Sequence, residues 1–178
     1  MSRLTVYADT NPGNPTLVTE DAAAIAAALA PIGVRFERWD SPVALAHDAT
    51  PEAVLAAYQP YLDTLMGSGA GSADVIRLAP DNPAAPALRH KFLAEHIHTE
   101  DEVRFFVDGS GSFVLHVDGH VYDAHCMQGD LISVPAGTKH WFDAGPEPRF
   151  TALRVFQDMT GWTPHYTGDA ISERFPVS

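Results

Sequence analysis

His96 and His98 are two residues apart, the spacing that turns both side chains to one face of a strand. Glu102 lies just beyond, after the acidic pair Glu100-Asp101. A third imidazole, His140, follows the Pro/Gly turn in Val134-Pro-Ala-Gly-Thr-Lys-His140 and starts another strand. Imidazoles and a carboxylate converging from neighbouring strands make a site for a first-row divalent metal. A lone histidine is usually a core or surface residue, and the His-x-His pair is what lifts the ligand reading above that ordinary one. By chemistry alone, any of Glu100, Asp101 and Glu102 could supply the carboxylate. His47, His116, His120, His125 and His165 fit no such pattern and read as structural or exposed.

These residues need rigid elements around them. From Asp74 onward, short apolar runs are punctuated by turns. Asp74–Leu78, Leu88–His98, Val103–Val107, Ser112–Val117, His120–Cys126, Leu131–Val134, His140–Asp143 and Phe150–Gln157 read as strands. Asp108-Gly109-Ser-Gly111 and Asp118-Gly119 read as hairpin turns. Many short strands at even spacing predict a mainly β fold, a closed barrel or double-sheet jelly roll. Helices precede it. Thr19 is the expected N-cap of a helix reaching about Ala30, with Glu20 and Asp21 in its first turn. Val34–Trp39 alternates like a half-buried strand. Thr50-Pro51-Glu52 opens a second helix to about Met66, where Pro60 predicts a kink or break. Gly67–Ser72 reads as a loop.

The 178 residues fit one domain. Its parts are a helical N-terminal portion (1–72) packed outside, a barrel carrying the site (73–160) and a C-terminal segment (161–178). A net charge of −12 argues against nucleic acid and against an anionic membrane surface. Neither a signal peptide nor a bilayer-spanning run is evident, so a cytoplasmic protein is expected. With no strongly apolar exposed stretch, a monomer is expected. Cys126, the sole cysteine, has no helix start or basic cluster nearby to activate it and reads as structural.

The wider spacing carries a family resemblance. Glu102 is followed by six residues and Gly109. Gly129 is followed by five residues and Pro135, then Gly137 and, after two more, His140. These blocks resemble the two signature motifs of the cupin superfamily, His-x-His-x3-Glu-x6-Gly and Gly-x5-Pro-x-Gly-x2-His. The pattern usually opens with glycine, where this chain has His90, and closes with asparagine, where it has Ala144. Neither position supplies a ligand. The match to Gly109 selects Glu102 as the carboxylate, which leaves Glu100 and Asp101 as solvated turn residues.

A closer resemblance lies in His96-x-His98-x3-Glu102-Val-Arg-Phe-Phe-Val107, Gly109, Gly111, Asp130–Pro135 and His140-Trp-Phe-Asp143. Gly33–Trp39, Asp74-Val-Ile76 and Gly161-Trp162 extend it over nearly the whole chain. All are similar to the bacterial branch of the acireductone dioxygenase family. The resemblance implies a methionine-salvage enzyme that cleaves 1,2-dihydroxy-5-(methylsulfanyl)pent-1-en-3-one with O2. It implies one Fe(2+) or Ni(2+) per chain, with other divalent metals possible, held by His96, His98, Glu102 and His140. The iron form would give 4-methylsulfanyl-2-oxobutanoate and formate. The nickel form would give 3-(methylsulfanyl)propanoate, formate and CO. Arg104 shares strand parity with Glu102, so its guanidinium is expected to meet the ene-diolate. Phe92, Phe142 and Trp162 are candidates for the thioether slot, and Arg154 is a further anion partner. The rival readings are another metal-dependent cupin dioxygenase or isomerase, and a non-enzymatic ligand-binding cupin. The second would require an attached DNA-binding or tandem domain, for which the first third is too short and too acidic.

Overall fold

The computed structural model describes residues 1–39, 43, 45–46, 48–67, 71–157 and 159–175. His47 and the centre of the expected 67–72 loop, 68–70, lie outside the described residues.

The barrel is built from antiparallel strands in two sheets that share one long strand, β6 (Glu102–Val117). The first half of β6 pairs with β8 (Asp130–Val134) and β10 (Phe150–Phe156). β3 (Arg35–Arg38) extends this sheet beyond β8, and β4 (Ser72–Leu78) extends it beyond β10. The second half of β6 pairs with β7 (His120–Met127) and β9 (Lys139–Asp143). That sheet continues through β5 (His96–Ile97) to β11 (His165–Tyr166) on one side. On the other it continues through β1 (Arg3–Ala8) to β2 (Pro15–Thr19). This is a cupin-type jelly roll.

Several strand expectations hold: β4, β7, β8, β9 and β10 lie where the short apolar runs between turns place them. Three assignments are corrected. Val103–Val107 and Ser112–Val117 are one strand, not a hairpin. The glycines between them sit where β6 passes from one sheet to the other, and Gly109 takes a left-handed φ of 72°. Most of the run expected as strand Leu88–His98 is helix α3 (Ala85–Leu93). Proline in its first turn and a run of Ala, Leu, Arg and Lys favour the helix there. The N-terminal part is not helical throughout, since β1 and β2 pair there and β1 is zipped onto β7.

Helix α1 (Ala22–Leu29) is capped by Asp21, whose side chain accepts from the Ala24 amide at 2.8 Å; Thr19 ends β2 instead. Helix α2 (Pro51–Met66) begins as expected on the Thr50 hydroxyl and runs unbroken through Pro60. It lays Val54, Tyr58 and Leu62 on the outer face of the β6–β8–β10 sheet, against Phe105, Val107, Leu131, Leu153 and Val155. The inner core between the sheets holds Phe106, Phe113, Leu115, Phe142 and Phe150. The C-terminal residues Ile171 and Phe175 seal the opposite outer face over Val114 and Trp141. No helix among the described residues is long and apolar enough to cross a membrane.

Candidate metal centre

Three strands and one turn bring the candidate ligands together. His96 on β5 faces His140 on β9 across their single paired position. His98 follows β5 immediately, and Glu102 opens β6. The turn between them is tied down at two points. Gly137 N–H donates to the His98 carbonyl at 2.9 Å, and Ala136 N–H donates to Asp101 Oδ1 at 2.8 Å. Asp101 is thus an exposed turn residue with a fixed partner, linking the two motifs.

The coordinating atoms of His96, His98 and His140 all lie within 4.8 Å of one another. Glu102 Oε2 is 3.3 Å from His98 Nε2 and 3.5 Å from His140 Nε2. All four residues are buried. Tautomers follow from the backbone. His96 Nδ1–H donates to the Ala94 carbonyl and His140 Nδ1–H to the Thr138 carbonyl, each at 2.8 Å. A carbonyl only accepts, so both Nε2 atoms carry the lone pair.

Glu102 Oε2 and His140 Nε2 are buried without a hydrogen-bond partner among the described residues. Orphaned acceptors at the focus of three imidazoles and a carboxylate fit a bound divalent cation. Burial moves the His96 imidazolium down, assisted by the neighbouring His140, to about 4. Burial raises the Glu102 carboxyl, but the Arg104 charge and the two imidazoles outweigh it and hold the group well below its usual range. Both shifts keep the donors deprotonated, as coordination requires.

A sequence profile of the ARD/ARD' family matches residues 3–164. The chain belongs to that family. It is 66% identical over 179 residues to an acireductone dioxygenase of Acidiphilium cryptum, covering 100% of this chain and 99% of the relative. A Gluconacetobacter diazotrophicus acireductone dioxygenase is likewise 66% identical, with both chains fully covered. Among solved structures, an acireductone dioxygenase from Bacillus anthracis with a cadmium ion in its active center superposes with a TM-score of 0.80 at 29% identity. That match covers 93% of this chain and 98% of the other.

In this member of the family, the cavity beside the ligands is lined by Lys91, Phe92, Arg104, Phe113, Phe142, Arg154, Trp162 and Pro164. Every residue named from sequence as a substrate contact therefore faces it. Arg104 donates from Nη2 to Glu102 Oε1 at 2.6 Å, while its Nε and Nη1 have no partner among the described residues. Arg154 is engaged differently. It holds Asp74 through two hydrogen bonds of 2.9 and 2.6 Å, and its guanidinium lies 5.1 Å from the Trp162 ring centroid. That pairing leaves it less free than Arg104 to take a substrate anion.

Sequence reasoning missed Lys91, Phe113 and Pro164. Phe113 had a signal, namely its register opposite Phe142, but its facing depends on the bulge at Val107. His116 is structural, as expected, placed between Glu95 (2.8 Å) and Asp9 (3.3 Å). Cys126 is buried, and burial pushes its thiol well above the usual value, so it is inert.

Proposed function

We propose that this chain is an acireductone dioxygenase of methionine salvage, cleaving 1,2-dihydroxy-5-(methylsulfanyl)pent-1-en-3-one with O2. The single observation that carries the reading is the conjunction at Glu102. One oxygen faces the histidine nitrogens, and the other anchors an arginine whose remaining donors are unused. A protein that merely held a metal would leave no reason to bury a second, half-satisfied cation beside it. Homology at 66% identity to named acireductone dioxygenases supports the same reading.

His96, His98, Glu102 and His140 would hold one Fe(2+) or Ni(2+). That ion would supply Lewis acidity for an ene-diolate, and its identity would select between the keto acid with formate and the shorter acid with formate and CO. The protein's own groups do the rest. Arg104 binds the anionic oxygens through Nε and Nη1 and fixes the Glu102 carboxylate through Nη2. Phe92, Phe142 and Trp162 provide the apolar wall for the methylthioethyl tail. Buried rings around the ligands exclude water, which keeps the charge-assisted bonds strong. We read the unit as a single domain, 1–178, working as a monomer in the cytoplasm on a small molecule and O2.

The test pairs oxygen uptake with product analysis on iron- and nickel-loaded protein. Arg104→Ala should keep metal stoichiometry and lose substrate binding by about 1.5–3 kcal/mol, the strength of hydrogen bonds to a charged group. Arg104→Lys should recover only part, since an ammonium lacks the planar fork. Parent-like turnover by Arg104→Ala, or no oxygen uptake by the parent with acireductone, would sink the reading.

A further inference from the structure

The Arg104 guanidinium is buried, and only Nη2 among its donors has a partner among the described residues. A cation in that position needs compensation for lost water. A second carboxylate would supply it but would occupy the in-plane N–H groups. Aromatic rings compensate charge through their electron-rich faces without accepting those N–H groups. Two rings stand in place. The Phe113 centroid is 4.7 Å from Arg104 Cζ and the Phe142 centroid is 4.8 Å away. The two centroids are 5.2 Å apart with planes inclined at 55°, so the rings form a corner rather than a stack.

Both rings are themselves fixed. Phe113 stacks on the ligand His140, with centroids 6.1 Å apart and planes 29° apart. Phe142 enters the corner because position 111 is glycine: a Cβ there would lie 2.3 Å from Phe142 Cζ. Phe142 is held from behind by Phe150 at 5.2 Å.

We propose that Phe113 and Phe142 form an aromatic corner that holds the Arg104 charge and leaves Nε and Nη1 for the anionic oxygens of the substrate. Phe113 is then a positioning residue that acts on substrate through Arg104, and Gly111 makes the corner possible. This inference rests on the role given to Arg104 above.

The experiment replaces Phe113 by phenylalanines carrying one, two and three ring fluorines. Fluorine drains the ring face of charge while nearly keeping its shape, so a packing role would not register it. Acireductone binding to the metal-loaded protein is measured under argon, where turnover cannot occur. The dissociation constant should rise stepwise with fluorine number, by about 3–30-fold in all, the range spanned by buried cation–π contacts. Metal stoichiometry should stay at the parent value. Gly111→Ala, which displaces the second ring, should weaken binding as well. In an Arg104→Ala background the fluorine dependence should vanish. A flat fluorine series, alongside an Arg104→Ala variant that binds poorly, overturns the corner alone. An Arg104→Ala variant that binds like the parent overturns the role of Arg104 itself.

Discussion

The lowered pKa values of Glu102 and His96 keep both donors deprotonated, and the consequence can be measured. Burial, then the neighbouring His140, brings His96 down to about 4 from 6.5. As pH falls below 6.5, the unfolded chain therefore takes a proton at this position that the folded chain refuses, and the fold loses stability. Glu102 acts in the same direction but at lower pH. Its lowered value contributes stability that is present above the unfolded value of 4.5 and lost only as pH falls below it. Between pH 7 and pH 5 Glu102 contributes little, and comparing parent with variant there separates His96 from His125, which burial also lowers. In metal-free protein, His96→Gln should reduce the loss of unfolding free energy across that window by about 2 kcal/mol. Urea unfolding of parent and variant at the two pH values gives the number directly. Equal losses would show that His96 is not held neutral by its surroundings.

At the scale of elements, the sequence was legible where the local pattern is also the tertiary pattern. The strands β8 to β10 are buried on both faces, so each reads as a short, nearly continuous apolar run between turn residues. The histidines of the metal site were legible because their signals are local: His96 and His98 are two residues apart, and the Pro-x-Gly turn lies just before His140. Elsewhere, long-range contacts decide. Leu88 and Phe92 are four apart and pack on the inner core from a helix, a spacing that a short apolar run does not distinguish from a strand. β1 is zipped along its length to β7, far away in sequence. In β6, residue parity changes at Val107, the extra residue between the pairs Phe106–Ala152 and Asp108–Thr151. Phe106 faces the inner core before it, Phe113 and Leu115 after it, so a straight even-odd count puts Phe113 on the wrong face. That is why the Arg104 corner was invisible. Gly109, just beyond, takes a φ of 72° in close contact with the next strand segment, and a Cβ there would lie 2.0 Å from the Arg149 carbonyl oxygen. Gly109→Ala combines a strained backbone with a backbone clash and should cost more than about 2 kcal/mol. For a chain of this size, that lowers the thermal midpoint by roughly 4–8 °C or more. A midpoint within a degree of the parent would mean that β6 tolerates a regular strand there.

At the scale of the whole molecule, the metal site ties together parts that the chain keeps apart. Its four proposed ligands span residues 96 to 140 and come from three strands and a turn. The strand that carries His96 is fastened in turn to the C-terminal segment. Thr167 donates its hydroxyl to Glu95 Oε1 at 2.6 Å and its amide to the Glu95 carbonyl at 3.1 Å. Glu95 also receives His116, whose other nitrogen faces Asp9 near the N-terminus. No comparable cluster exists in an unfolded chain, so a divalent ion binds the folded state almost alone, and binding becomes stability by mass action. At a free metal concentration 1,000 times the dissociation constant, the gain is about 4 kcal/mol. A protein of this length gains roughly 2–4 °C per kcal/mol, so the midpoint should rise by roughly 8–16 °C when the metal-free protein is loaded. A chelator should reverse the rise. His140→Ala should fold without metal and show little of the rise at the same metal concentration, because it lacks one of the four donors while keeping the others. Calorimetry on the four samples, parent and variant with and without metal, separates binding from folding. An equal rise in both proteins would place the stabilising ion somewhere other than the His96, His98, Glu102 and His140 cluster.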